Sequence, residues 1–235
     1  MTIRSITRSR IRARPVAAAL ILASIAGMAP AGAVPPAEAA APLPVVLVHG
    51  FNGAPAGFIT MAARLRERKH TVVIAKLPGN DNVVNAKVIR DIVAARGWRK
   101  VAIVGHSMGG LSGRQYIRFD GGRKTSTVYV SLGTPQKGLP IACLAEIDNG
   151  GQMCPGSAFL TKLNAGDETP GTTRWTSVFS TTDGLVPTSA SRLADGACDV
   201  RVTGPNHSQL LTDPAVFRIV LNAIDGKPCP GTFVR

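Results

Sequence analysis

Ser107 lies at the centre of the segment G-H-S-M-G, residues 105–109, whose Gly-x-Ser-x-Gly pattern can present a hydroxyl nucleophile. The apolar run at 101–104 predicts a buried strand before it, and residues 110–117 can open a helix after it. A serine at such a sharp turn exposes its hydroxyl, while the two glycines let strand and helix approach closely. The alternative is a glycine-rich loop with an incidental serine, but the preceding strand favours the nucleophile.

A serine nucleophile needs a base to accept its proton and a third group to orient that base. Of the four histidines, only His207 lies in a loop after the last predicted strand. In the fold that uses this type of turn, the base follows the serine along the chain at that place. His207 is therefore the predicted base, and a solvated loop histidine is the competing interpretation.

The orienting acid should lie between the two, at the carboxyl end of a strand. Asp183 follows the predicted strand at 175–179 and precedes Gly184, and a turn there would direct its carboxylate across the sheet edge. Asp148 is the one serious rival, and an ordinary Asp-Gly turn is the other interpretation of Asp183. We predict Asp183 as the acid.

Attack on an acyl carbon develops an oxyanion, which requires preorganised backbone donors. The N–H that follows the nucleophile belongs to Met108. The loop after the first strand, H-G-F-N-G at 49–53, should supply the second donor, and the N–H of Phe51 is the predicted group.

The remaining elements must bring these residues to one edge of a sheet. Strands are predicted at 45–48, 71–75, 101–104, 126–132, 175–179 and 199–203, and helices at 57–68, 82–96 and 214–224. Strands alternating with helices predict a compact α/β fold with six mostly parallel strands covered by helices on both faces. Residues 133–168 are rich in glycine and proline and predict an excursion over the sheet edge.

The first 39 residues read as a secretory signal peptide, which leaves residues 40–235 as one catalytic domain. Five arginines precede an apolar stretch at 16–28 and then small residues and prolines. Ala37-Glu38-Ala39 is favoured over Ala31-Gly32-Ala33 as the cleavage site, and an N-terminal membrane anchor is the alternative. We expect a secreted, extracellular protein without stable membrane insertion.

The mature chain is strongly basic. It has 22 basic and 13 acidic residues, a net charge of +9, which favours solubility and attraction to anionic interfaces. The basic residues are scattered and do not alternate with aromatic residues, so nucleic acid is not an expected partner. Oligomeric state is not predicted.

Five segments together resemble the small secreted bacterial triacylglycerol lipases, class 2, of the α/β-hydrolase superfamily. They occur between residues 44 and 211, in the family's order: P-V-V-L-V-H-G-F-N-G, V-G-H-S-M-G-G-L, L-G-T-P-Q-K-G, S-T-T-D-G-L-V-P and G-P-N-H-S-Q-L-L. The resemblance implies the same triad: Ser107 as nucleophile, Asp183 as acid and His207 as base. Gln136 departs from the family, whose members often have histidine there.

The resemblance also implies hydrolysis of lipid-like acyl esters such as acylglycerols, through an acyl-enzyme, without a metal or an organic cofactor. We therefore expect a lipase or carboxylesterase that acts on an ester or lipid substrate, including one at a lipid interface. An acyltransferase or thioesterase with the same triad is the first alternative. A catalytically silent binding protein on this fold is the second, although all three triad residues are present.

Four cysteines in an exported chain predict two disulfides, for which three pairings exist. In the predicted topology the last strand runs towards the site and the closing helix returns to the far end. Cys198 starts that strand and Cys229 follows that helix, so we predict the pairs Cys198–Cys229 and Cys143–Cys154. The second bridge would staple the excursion.

Overall fold

The computed structural model of the protein describes residues 41–144, 147–194 and 196–231. The predicted signal peptide and its cleavage sites lie outside these ranges, and the side chain of Asp148 is not among those described. Those assignments stay predictions.

The described residues form one six-stranded parallel sheet. Its strands are β1 (Val45–Val48), β2 (Val72–Ile74), β3 (Val101–His106), β4 (Ser126–Leu132), β5 (Arg174–Ser180) and β6 (Cys198–Val202). They pair in the order β2-β1-β3-β4-β5-β6, every neighbour parallel. Since a parallel sheet is covered on both faces, β1 and the first four residues of β3 are continuous apolar runs. The predicted six-strand sheet is confirmed, with ends that differ by at most two residues.

Helices cover both faces of the sheet. They are α1 (Ile59–Glu67), α2 (Asn82–Ala95), α3 (Met108–Phe119), α4 (Ala158–Leu163), α5 (Thr188–Ser191) and α6 (Pro214–Ile224). Alternate strand residues point to opposite faces. Leu47 and Val104 therefore pack with α1 and α6, whereas Val46 and Ile103 pack with α2 and α3. This two-sided packing confirms the predicted α/β class.

The excursion, residues 133–168, contains more structure than its sequence predicts. Two 3-10 turns at Pro140–Leu144 and Ile147–Met153 precede the six-residue α4. These pieces and α5 are too short to show helical periodicity in a sequence. Disulfides join Cys143 to Cys154 and Cys198 to Cys229, the two pairs that the topology predicts.

Among the described residues, none of the helices combines the length and the apolar character that crossing a bilayer requires.

Candidate active site

The turn that carries Ser107 joins β3 directly to α3. Ser107 has φ +54° and ψ −130°, a conformation that non-glycine residues rarely adopt. A Cβ atom on Gly109 would lie 2.2 Å from the carbonyl oxygen of Val48, and one on Gly105 would lie 2.5 Å from Gly110 Cα. Only glycine fits at either position. The close approach of β1, β3 and α3 thus depends on both glycines, and it holds a partly exposed Ser107 at the strand end.

Asp183 and His207 form a directly hydrogen-bonded pair. His207 Nδ1 lies 2.9 Å from Asp183 Oδ2 and 3.0 Å from Oδ1, and the His207 main-chain N–H donates to the Asp183 carbonyl oxygen at 2.8 Å. Asp183 Oδ1 also accepts the N–H groups of Val186 at 2.7 Å and Leu185 at 3.0 Å. The Asp183 residue is 4% exposed. The pair follows β5 and β6, so the chain folds two separate loops onto each other here.

The surroundings of Asp183 favour its ionised form. Burial alone would raise the pKa of this carboxyl, but the hydrogen bond from His207, those from Val186 and Leu185, and the charge on His207 outweigh it. The net effect holds the pKa of Asp183 below its ordinary value. A carboxylate is thus available to accept the Nδ1–H of His207, which leaves Nε2 as the basic nitrogen.

The loop after β4 brings the serine turn to this pair. The Ser107 N–H donates to the carbonyl oxygen of Leu132 at 2.9 Å. A Cβ atom on the next residue, Gly133, would lie 2.9 Å from Asp183 Oδ2 and 3.1 Å from His207 Nδ1. Within the described part of the chain, Ser107 Oγ makes no hydrogen bond to His207. Such bonds are often long in unliganded sites and shorten when substrate binds.

His106 contacts His207, the predicted base. Its Nε2 lies 2.9 Å from the His207 carbonyl oxygen, and the two ring centroids are 4.6 Å apart. Because a carbonyl only accepts, this Nε2 carries a proton and donates it. Burial, and then the nearby His207, lower the pKa of His106 to about 4, so its ring is neutral at physiological pH. No role for His106 is predicted from the sequence, although its position beside Ser107 is a signal that it lies at the site.

The loop after β1 lies directly against the serine. A Cβ atom on Gly50 would come within 2.8 Å of Ser107 Cβ and 3.3 Å of Ser107 Oγ. The Gly53 N–H donates to the Gly50 carbonyl oxygen at 3.0 Å and closes a tight turn around Phe51. Met108, the first residue of α3, has an N–H without an intrahelical acceptor. Both predicted oxyanion donors therefore belong to segments that border Ser107.

A buried polar cluster lies behind the site and explains the departure at Gln136. Its side chain is fully buried, accepts Arg114 Nη1–H at 2.9 Å, and donates to Tyr129 Oη at 3.3 Å and to Ser131 Oγ at 3.1 Å. Burial lowers the pKa of Arg114 to about 10. The Tyr129 hydroxyl in turn donates to the Gly110 carbonyl oxygen of α3 at 3.0 Å. Gln136 thus ties the loop after β4 to α3, a contact that local sequence does not reveal.

All five predicted site residues lie at the carboxyl edge of the sheet, after β1, β3, β5 and β6. Among the described residues, no three His, Cys, Asp or Glu side chains are grouped so that they could hold a metal ion.

The chain is similar to several known lipases. A triacylglycerol lipase from Burkholderia plantarii is 32% identical over 156 residues, which cover 57% of this chain and 43% of that lipase. The chain therefore spans less than half of that relative's length. The mature lipase BlEst2 from Bacillus licheniformis superposes with a TM-score of 0.70 at 20% identity, covering 79% of this chain and 93% of BlEst2. Lipase B from Aspergillus fumigatus gives 0.66 at 19% identity, covering 80% of this chain and 54% of that lipase.

Because the sequence identity of these structural matches is low, they establish the fold alone. The model of the alpha/beta hydrolase family matches residues 45–231, a range that begins at β1 and includes every predicted site residue. The parallel six-strand sheet and the strained serine turn between β3 and α3 both lie within that range. This chain belongs to the alpha/beta hydrolase family.

Proposed function

We propose that this chain is a secreted serine ester hydrolase, a lipase or carboxylesterase that cleaves acyl esters such as acylglycerols. The observation that carries the proposal is the Asp183–His207 pair, bonded at 2.9 Å beside the strained turn of Ser107. A nucleophile, an orienting carboxylate and an imidazole between them are the parts that acyl transfer through a covalent intermediate needs.

The reaction has two halves. His207 Nε2 accepts the proton of Ser107 Oγ as that oxygen bonds to the acyl carbon, and Asp183 stabilises the imidazolium that forms. The N–H groups of Phe51 and Met108 hold the oxyanion of the tetrahedral intermediate. His207 then gives its proton to the leaving alcohol, which departs as the acyl-enzyme forms. In the second half, His207 accepts a proton from a water molecule as the water oxygen attacks the acyl carbon. The bond from that carbon to Ser107 Oγ then breaks, His207 returns its proton to Oγ, and the acid leaves.

An apolar acyl group suits the surroundings of Ser107. Buried Met108 and Leu111 of α3 pack with Leu139, Leu160 and other apolar residues of the excursion, and Phe51 packs against the same cluster. The side chains of Ile141 and Leu144 on the excursion are largely exposed. The lipase name of the Burkholderia relative supports the same substrate class.

Secretion is part of the proposal. Two disulfides support it, because such bonds form and persist in oxidising compartments outside the cytosol. The signal peptide predicted at 1–39 supports it independently.

Turnover of p-nitrophenyl esters by wild type and by Ser107→Ala tests the chemistry. We expect Ser107→Ala to lose activity, whereas Ser126→Ala, at the opposite edge of the sheet, keeps it. Equal turnover by Ser107→Ala and wild type would refute the proposal. Running the assay from acetate to long acyl chains defines the preferred ester, and adding a competing alcohol measures any acyl transfer.

A further inference from the structure

The segment Asn80-Asp81-Asn82, which follows β2, contacts three separate parts of the active-site edge. The residues Asn80 and Asn82 are 8% and 0% exposed, although asparagine is usually a surface residue. Asp81 caps α2 by accepting the N–H groups of Val83 and Val84. The cap fixes the segment's backbone, so the two asparagine side chains extend from a rigid base.

Asn80 holds the loop that carries the Phe51 N–H. Its Oδ1 accepts the main-chain N–H of Asn52 at 2.9 Å, and its Nδ2–H donates to Asn52 Oδ1 at 2.8 Å. Asn52 has φ +47°, a left-handed conformation that asparagine tolerates better than most residues. The two reciprocal bonds fix both the backbone and the side chain of the residue next to Phe51.

Asn82 holds the helix that begins with Met108. Its Oδ1 accepts the hydroxyl proton of Ser112, one turn into α3, at 2.8 Å. Its main-chain N–H and its Nδ2–H both donate to Gln152 Oε1 at 2.9 Å, in the excursion two residues before Cys154. Asn82 therefore connects α3 to the stapled excursion through three hydrogen bonds.

We propose that Asn80 and Asn82 are positioning residues that fix the distance and orientation of the Phe51 and Met108 N–H groups relative to each other. This inference rests on the proposed function. Donors stabilise an oxyanion best when they lie about 2.7–3.1 Å from it. A small displacement of the Phe51 loop or of the start of α3 therefore weakens the hydrogen bonds to the oxyanion. The two donors are far apart in sequence, and one short segment binds both Asn52, beside Phe51, and Ser112, in the helix that begins with Met108.

The test is steady-state kinetics with a soluble p-nitrophenyl ester. Asn80→Ala removes both bonds to Asn52, and we expect kcat to fall about tenfold with KM unchanged, less than the roughly 10²–10³-fold loss on deleting a donor. Asn80→Asp should restore most of kcat, because a flipped Asn52 amide can donate to the new oxygen while the N–H of Asn52 keeps its acceptor. The Asn82→Ala variant should also lower kcat.

A double-mutant cycle separates positioning from general destabilisation. Asn52→Gly keeps the left-handed turn but removes the side-chain bond, so adding it to Asn80→Ala should cause no further loss of kcat. Thr173→Val is the control, since it removes a buried side-chain bond, 2.7 Å to the Ser126 carbonyl oxygen, at the opposite end of the sheet. We expect it to lower Tm and leave kcat unchanged.

Amide hydrogen exchange provides a readout that does not depend on activity. The Asn52 N–H should exchange slowly in wild type and in Asn80→Asp, and faster in Asn80→Ala. A wild-type kcat in Asn80→Ala, or an equal loss in Thr173→Val, would overturn the inference while leaving Ser107 as nucleophile. Should Ser107→Ala retain full turnover in the same assay, the proposed function fails and this inference fails with it.

Discussion

Replacement of Asp183 by asparagine tests the acid most sharply, because the two side chains have the same shape. In the native structure Asp183 Oδ1 accepts two main-chain N–H groups, at 2.7 and 3.0 Å, and Oδ2 lies 2.9 Å from His207 Nδ1. Asparagine has only one oxygen. The two main-chain donors fix that oxygen at the Oδ1 position, so the NH2 group must face His207.

An NH2 group facing Nδ1 can only donate. His207 must then carry its proton on Nε2, the nitrogen that should accept the proton of Ser107. In a serine protease triad this wrong tautomer lowers kcat about 10⁴-fold, which corresponds to roughly 5 kcal/mol of transition-state stabilisation. We expect a loss of that size for Asp183→Asn with little change in KM, because the carboxylate does not contact the substrate.

The assay is steady-state turnover of a soluble p-nitrophenyl ester by folded, purified variants. Asp199→Asn is the matched control, since Asp199 also accepts a main-chain N–H, that of Leu193, and pairs with Arg192 at the start of β6. It should leave kcat unchanged. Near-wild-type activity in Asp183→Asn would refute the assignment of Asp183 as the acid. Loss of activity in Asp148→Asn would then identify Asp148, the rival carboxylate, as the acid.

Three further predictions concern stability. Replacing Cys198 and Cys229 by alanine should lower the free energy of unfolding by about 2–4 kcal/mol in denaturant titrations without changing kcat, since the bridge lies at the far end of the sheet; an equal stability would contradict this. Gly109→Ala should lower Tm strongly or prevent folding, because its Cβ would lie 2.2 Å from a carbonyl oxygen, whereas Gly79→Ala meets no atom within 4 Å and should not. The pKa of Asp183 is lower in the folded protein than its value of about 3.9 in the unfolded chain. The ionised carboxylate therefore stabilises the fold at pH values above the unfolded pKa, and this stabilisation is lost as the pH falls through the folded pKa. Wild-type Tm should therefore fall more steeply than that of Asp183→Asn below about pH 4, and parallel profiles would count against it.

The elements of the fold could be predicted because their sequences are locally consistent. The all-apolar runs of β1 and β3 indicate strands buried on both faces, and the periodic apolar positions of α2 and α6 indicate helices packed on one side. Strand order was not predicted, since it depends on which strands pair across the chain. The short α4 and α5 were missed because a single helical turn has no periodicity to detect.

The amino-acid sequence alone indicates which residues could perform ester hydrolysis and the order in which they occur. Each catalytic group must follow a particular strand, and this requirement leaves few candidate residues. They are a serine turn between a strand and a helix, one histidine in the required loop and one carboxylate at a strand end. Their catalytic roles stay predictions. The contacts that hold these residues in place are visible only in the folded chain. His106 donates to the His207 carbonyl oxygen, and Asn80 binds Asn52, which lies 28 residues away in sequence. Side-chain hydrogen bonds between distant segments leave no periodic or local pattern, because they depend on distances and angles that exist only after the sheet has formed.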